Sequence, residues 1–345
     1  MSGQLIEGEV PVLKPKWSHR LPAGALAMGM AKEYFAIAFD DGTAGLFSIA
    51  TGELQKKIEA HEGSTLQAKI SPSGKLLATT GEDGFFRVFG VADGAEIFSK
   101  QVTEAWAENL HWSPERDVAA VSAGKFVASY DVSDGVYRQS DPFASSVGAI
   151  AWLGDSQIGA GYYGGLSLLS LSDLKPQRTF AWKGSLISVR FSPLQTYAVC
   201  GSQDASIHLW DLKTGTDLEM TGFSAKSREI SFHASGDFMA NASGAEITVW
   251  DFRGEGPSGR KPWVLGPTPG TITSLRYQNR GPLLLSCDQE GVVFIWAPPS
   301  DVPRHVAGIK DEPISAAEWT LDDQTVVAAF KNGYVVAYDV PAGAL

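Results

Sequence analysis

The residues able to do chemistry are scattered rather than clustered. The six histidines are His19, His61, His111, His208, His233 and His305, and none belongs to an HxH, HExxH or Cys/His arrangement of the spacing that holds a metal. Cys200 and Cys287 lie in separate apolar runs and read as small buried hydrophobes. No GxSxG nucleophile elbow occurs. One stretch, Gly159-Ala160-Gly161-Tyr162-Tyr163-Gly164, fits GxGxxG, but that motif binds pyrophosphate only where a strand leads into a helix N-terminus. Here apolar alternation flanks it on both sides, so it reads as a glycine-rich turn between strands. The acid pairs Asp40-Asp41, Glu82-Asp83, Asp311-Glu312 and Asp322-Asp323 lie in turn-like segments. Neighbours on a strand point to opposite faces, so such pairs do not converge on one substrate. No catalytic residue, metal ligand or cofactor-binding residue is expected, and no cofactor.

What would position these residues is a repeat. An apolar run, a short polar turn, a second apolar run and an aromatic anchor recur, most clearly in CGSQDASIHLWD ending at Trp210-Asp211 and ANASGAEITVWD ending at Trp250-Asp251. The eight anchors are Phe47, Phe89, Tyr130, Leu169, Trp210, Trp250, Trp296 and Tyr338, at intervals of 42, 41, 39, 41, 40, 46 and 42 residues. Six residues before them stand Asp41, Asp83, Gly124, Tyr163, Asp204, Gly244, Glu290 and Asn332, mostly turn formers. A second aromatic set, Trp112, Trp152, Phe191, Phe232, Tyr277 and Trp319, ends an earlier apolar run in each copy. Repetition in register is what packing between neighbouring sheets requires, so both aromatic sets are expected in the core. Each repeat reads as four strands, a to d. A period near 40 with four short strands is the pattern of propeller blades.

On these residues the chain resembles the WD40-repeat family from about residue 17 to 339. Repeats 5 and 6 match through Trp210-Asp211 and Trp250-Asp251. Repeat 2 offers His61 and Asp83 where the family often places a His and an Asp, with Phe89 in place of Trp. The expected fold is a single all-β propeller domain over residues 1–345. Its eight four-stranded blades lie near 22–60, 61–101, 102–141, 142–182, 183–222, 223–266, 267–308 and 309–345, seven being the alternative. An N-terminal strand at 16–21 supplies the outer strand of the last blade, removing an exposed edge. The insertion Arg253–Pro262 accounts for the long 46-residue interval.

Composition narrows the functional classes. The 345 residues are 44% hydrophobic and carry a net charge of −11, which disfavours a nucleic-acid backbone as partner. No apolar stretch reaches the ~18 residues of a membrane span, and the first 25 residues lack the apolar core of a secretory signal, so a cytoplasmic location is expected.

Function is therefore sought on loops. The d–a and b–c loops emerge on one side of each blade, the top, and the family resemblance implies protein or peptide partners bound there. Aligning the repeats puts Phe143, Trp182 and Phe223 at the position of His61, with Trp106 nearby in its own copy and Arg228 just inside its strand. The b–c tips carry Tyr162, Tyr163, Gln203, Gln289 and Lys331. Trp, Tyr and Arg dominate binding hot spots, so these ten residues are the candidate partner-binding set of a non-catalytic scaffold. Packing between blades is the competing role for each aromatic. Two other classes stand beside this reading. One is an enzyme or small-ligand binder using ionisable groups in a central channel. The other binds nucleic acid or an acidic partner through the basic segment Arg253, Arg260, Lys261, Arg276 and Arg280.

Overall fold

The computed structural model describes residues 10–341, and all of its regular structure is strand. Residues 342–345, the end of the expected last blade, lie outside the described residues, as do residues 1–9. The chain divides into two compact units, Ala23–Gly222 and the pair Met1–Pro22 with Phe223–Leu345.

In the unit Ala23–Gly222, repeats 1 to 3 each form a four-stranded antiparallel meander in sequence order. Repeat 2 shows the grading from inside to outside. Leu76–Gly81 is buried at every residue, whereas the outer strand Glu96–Gln101 is almost wholly exposed. This follows the sequence: Ala, Thr and Leu fill the middle strand, and Glu, Lys and Gln line the last. Neighbouring first strands are tied as the aromatic register required. The Trp112 indole N–H donates to Lys69 O at 2.8 Å, and that of Trp152 to His111 O at 3.0 Å.

Repeats 4 and 5 correct the expected blade count. They form one six-stranded sheet, so the described residues make seven sheets, six of them four-stranded, instead of eight separate ones. The cause is Pro176–Phe191, sixteen residues that run unbroken from the last strand of repeat 4 into the first of repeat 5. Within the same sheet Gln157–Ser170 turns back on itself at Gly164 and Gly165, whose φ values of 119° and 139° favour glycine. The return is visible in Tyr162 Oη lying 3.3 Å from Ser167 Oγ. The GxGxxG stretch is thus strand and turn, with no helix behind it.

In the other unit, repeats 6 and 7 are four-stranded meanders. The last sheet joins Ile314–Trp319, Thr325–Phe330 and Tyr334–Asp339 to the N-terminal strand Pro15–Arg20, which pairs antiparallel with Tyr334–Asp339 as its outer member. An ion pair from Lys16 to Asp339 at 2.9 Å adds to it. Just before that strand, Leu13 N donates to Val306 O and Val306 N to Pro11 O, so the same segment also edges repeat 7. The Trp319 indole N–H donates to Arg276 O at 3.1 Å, repeating the tie of Trp112 and Trp152. The expected insertion lies between Glu246–Asp251 and Trp263–Leu265.

Two local devices shape the top loops. Seven first strands shift register at their second residue, a bulge that turns the strand end toward the loops. Several of the b–c turns are Asx turns, in which Asp41, Asp83, Asp204 and Asn332 accept from the backbone N–H two residues on. In repeat 7 Asp288, not the expected Glu290, does this, accepting from Glu290 N at 3.1 Å and Val292 N at 2.9 Å.

Candidate functional site

Within the unit Ala23–Gly222 the candidate residues of repeats 3 and 4 fall along one line of loops. Trp106 precedes strand Ala107–Trp112 and is 53% exposed. Its neighbour Ala105 lies against the Gly124–Lys125 turn, 3.1 Å from where a Cβ on Gly124 would stand. On the far side of that turn Phe143 N donates to Lys125 O at 2.8 Å. The Phe143 ring meets Tyr162 with centroids 5.0 Å apart. Tyr163, 55% exposed, is fixed through its backbone, its N–H donating to Ser145 Oγ at 3.0 Å. Tyr162 and Phe143 are half-buried, whereas Tyr163 and Trp106 face solvent. The result is an aromatic ridge with pre-ordered backbone. Large rings in fixed positions bury area at low entropic cost when a partner arrives.

The other candidates of this unit behave differently. Trp182 turns into the sheet, with its ring centroid 3.4 Å from that of His208, which is itself 5.2 Å from Trp210. Gly184 fits beside it because a Cβ there would stand 2.7 Å from the Trp182 indole nitrogen. Gln203 is exposed and contributes its N–H to Ser185 O at 2.9 Å. In the second unit Phe223 is half-buried and edge-on to Trp250 at 6.5 Å. Arg228, Gln289 and Lys331 are exposed; Gln289 N donates to Thr271 O and Lys331 N to Pro313 O.

Ionisable groups gather in repeat 2, around Arg276 and at the insertion of repeat 6. In repeat 2, His61 Nδ1 stands 2.8 Å from Asp83 Oδ1, and His61 Nε2 2.8 Å from Thr79 Oγ1. Arg87 Nη1 lies 2.9 Å from Asp83 Oδ2 and 2.8 Å from His61 Nδ1. Burial, reinforced by the Arg87 charge, holds His61 neutral down to about 4, against the opposing pull of Asp83. Burial works against the Asp83 charge, but hydrogen bonds from Arg87 and Phe85 N outweigh it and hold the carboxyl below its usual range. In the second unit, Arg276 donates to Glu229 at 2.6 Å and to Glu318 at 3.1 Å. Burial opposes its charge, yet the two carboxylates raise its pKa. Three groups from three successive first strands do converge, but as a mutually satisfied ion triad. The sequence held a signal for two of its members, since Arg276 directly precedes Tyr277 and Glu318 directly precedes Trp319 and each so faces the opposite way, but none for Glu229.

Among the described residues no group of three or more His, Cys, Asp or Glu could hold a metal ion. Burial pushes both cysteine thiols far up, which keeps them from being thiolate nucleophiles. Asn241, the residue of the sole Asn-Ala-Ser stretch, is buried and donates to Ser227 Oγ at 3.2 Å. Among the described residues no helix is long and apolar enough to cross a membrane.

With the repeats, their ties and their turns in place, the fold class is an all-β propeller. The WD domain, G-beta repeat, matches residues 52–89 and 174–211, which end at Phe89 and at Trp210-Asp211. A WD repeat-containing protein WDS homolog of Arabidopsis thaliana is 22% identical over 293 residues, 80% of this chain and 55% of that one. Two stretches of the chain therefore match WD40 repeats, and the chain is similar to WD-repeat proteins. A p21-activated protein kinase-interacting protein 1-like of Danio rerio is 28% identical over 121 residues, 35% of this chain and 33% of that protein. The matched stretches thus span about half or less of these curated relatives. The crystal structure of Saccharomyces cerevisiae Sqt1 superposes with a TM-score of 0.83 at 15% identity, covering 96% of this chain and 100% of that one.

Proposed function

We propose that the protein is a non-catalytic, cytoplasmic interaction scaffold that binds a peptide or protein surface through the ridge Trp106, Phe143, Tyr162 and Tyr163. The observation that carries this is the pair of outward-facing rings, Trp106 and Tyr163, each more than half exposed, with the backbone of Tyr163 held by its bond to Ser145. An exposed ring on a floppy loop gains little by binding, whereas a pre-ordered one keeps most of its burial energy. Arg228, Gln203, Gln289 and Lys331 would extend contact as polar rim residues, while Trp182 and Phe223 act through the sheets they pack against. The name of the Danio rerio relative, a kinase-interacting protein, supports a protein partner. An enzymatic role is disfavoured because the converging ionisable groups neutralise one another.

The test is paired affinity capture with wild type and a Trp106→Ala, Tyr163→Ala double variant of unchanged melting temperature. The captured partner is then titrated as a purified protein. Loss of ~2 kcal/mol or more of binding free energy in the double variant is expected for hot-spot rings. Equal affinity of both proteins for every captured partner would remove the ridge from the proposal.

A further inference from the structure

The insertion of repeat 6 bounds a surface cleft of about 350 Å³, lined by Val249, Asp251, Arg260, Lys261 and Trp263. Asp251 is already engaged within it. Arg253 forks onto the carboxylate through Nε at 3.0 Å and Nη2 at 2.7 Å, and Arg260 Nη1 reaches it at 2.7 Å. Arg260 Nη2 also donates to Arg253 O at 2.7 Å, so the insertion is clamped to the end of its own strand. These bonds, those of Arg253 foremost, hold Asp251 ionised far below the usual carboxylate range. The two lining cations therefore outnumber a single, doubly paired anion. Lys261 is exposed and makes no ion pair or hydrogen bond among the described residues. Trp263 is half-buried, its ring held by Phe238 at 5.3 Å, and its indole N–H has no acceptor among the described residues.

Lys261, with an unspent ammonium, and Trp263, with an unspent indole N–H, thus line the same cleft as the apolar Val249. We propose that this cleft is a second binding site, and that it takes an acidic peptide, seating a side-chain carboxylate on Lys261 and Trp263 Nε1 with an adjacent apolar residue against the ring. The charge bookkeeping favours a peptide over a nucleic acid. A phosphate backbone needs several free cations along a track, and here Lys261 is unpaired while both arginines serve Asp251, with Asp237 and Glu255 close by in sequence. The site is independent of the ridge reading.

The probe is a fluorescein-labelled peptide with one phenylalanine between two pairs of glutamates, followed by fluorescence anisotropy at low ionic strength on the full chain. Saturable binding is expected. Lys261→Gln should weaken it about tenfold, as expected for losing the cation opposite a carboxylate, and Lys261→Glu more. Trp263→Phe, which keeps the ring and removes the N–H, should weaken it a few-fold. Trp106→Ala should leave it unchanged. Melting curves of all variants, with two substitutions at the exposed Lys261, separate lost binding from lost folding. The proposal is overturned by absence of saturable binding, by equal binding to wild type and Lys261→Glu, by loss of binding in Trp106→Ala, or by tighter binding of a labelled oligouridylate than of the peptide.

Discussion

Repeats 2 and 5 are the two stretches that match the WD domain pattern, and they solve the same position in opposite ways. In repeat 2 the strand pair sets Thr79 opposite Arg87, and His61 closes a polar network with Asp83. In repeat 5 the equivalent pair is Cys200 opposite His208, and Trp182 stands where His61 does. There the ring nitrogens of His208 and the indole nitrogen of Trp182 are buried without a hydrogen-bond partner in the structure. Repeat 2 is held by directed bonds whose members depend on one another. Repeat 5 is held by ring stacking that tolerates its polar atoms at a cost. The lesson is that the family pattern fixes volume and spacing at this position, while polarity is free to drift if aromatic area replaces it.

The largest effect that would break this comparison is His61→Ala. It leaves Thr79, Asp83 and Arg87 facing a buried gap, and should lower unfolding free energy by about 3 kcal/mol in urea titrations. A change under a third of that would mean the network is ornamental. Acid should find the same weakness. His61 has a folded-state pKa of about 4 against 6.5 in the unfolded chain, so its contribution is complete above 6.5 and is lost as pH falls from 6.5 toward 4. Up to about 3 kcal/mol goes in that window by the linkage relation. The His208 pKa is depressed by burial and acts with the same sign, while the depressed Asp83 adds loss only at still lower pH. Melting of His61→Ala across pH 4–7 should therefore be flatter than wild type. Arg87→Met comes next. It should cost about 2 kcal/mol, and it also lifts His61 toward its ordinary pKa, narrowing the acid window. Smallest and opposite in sign, His208→Phe should stabilise by about 1 kcal/mol, since it replaces two unbonded ring nitrogens by carbon within a stack. Destabilisation by that variant would show that His208 has a bond partner in solution, and the contrast between the repeats would fail.

Strand positions were legible because the turn and aromatic register repeats, and Trp112, Trp152 and Trp319 make the inter-strand ties that register implied. The exposed rings were legible as loop residues, Tyr163 because it stands where the other repeats place a turn former and Trp106 because it falls outside the core register. Trp182 was not, because alignment gives a residue's place along the chain and says nothing of the rotamer that folds its ring onto His208. The fusion of repeats 4 and 5 was equally hidden: nothing in Ala181–Gly184 marks whether extended chain continues or breaks, since both conformations suit those residues. The Glu229–Arg276–Glu318 triad needed lateral neighbours 42 and 47 residues apart, and a period counts repeats without saying which charges they bring face to face.

The strand Pro15–Arg20 has a consequence in time. Its ion-pair partner Asp339 lies 323 residues downstream of Lys16. At the usual pace of synthesis, ~5–20 residues per second, the early strand waits roughly twenty seconds to a minute for its mate. Meanwhile the contiguous stretch Ala23–Gly222 has emerged in full. Throughout that wait the ribosome holds out an unsatisfied strand, open to a chaperone or to the same strand position on a nascent neighbour, and exchange between two chains would yield a swapped pair without a single altered contact.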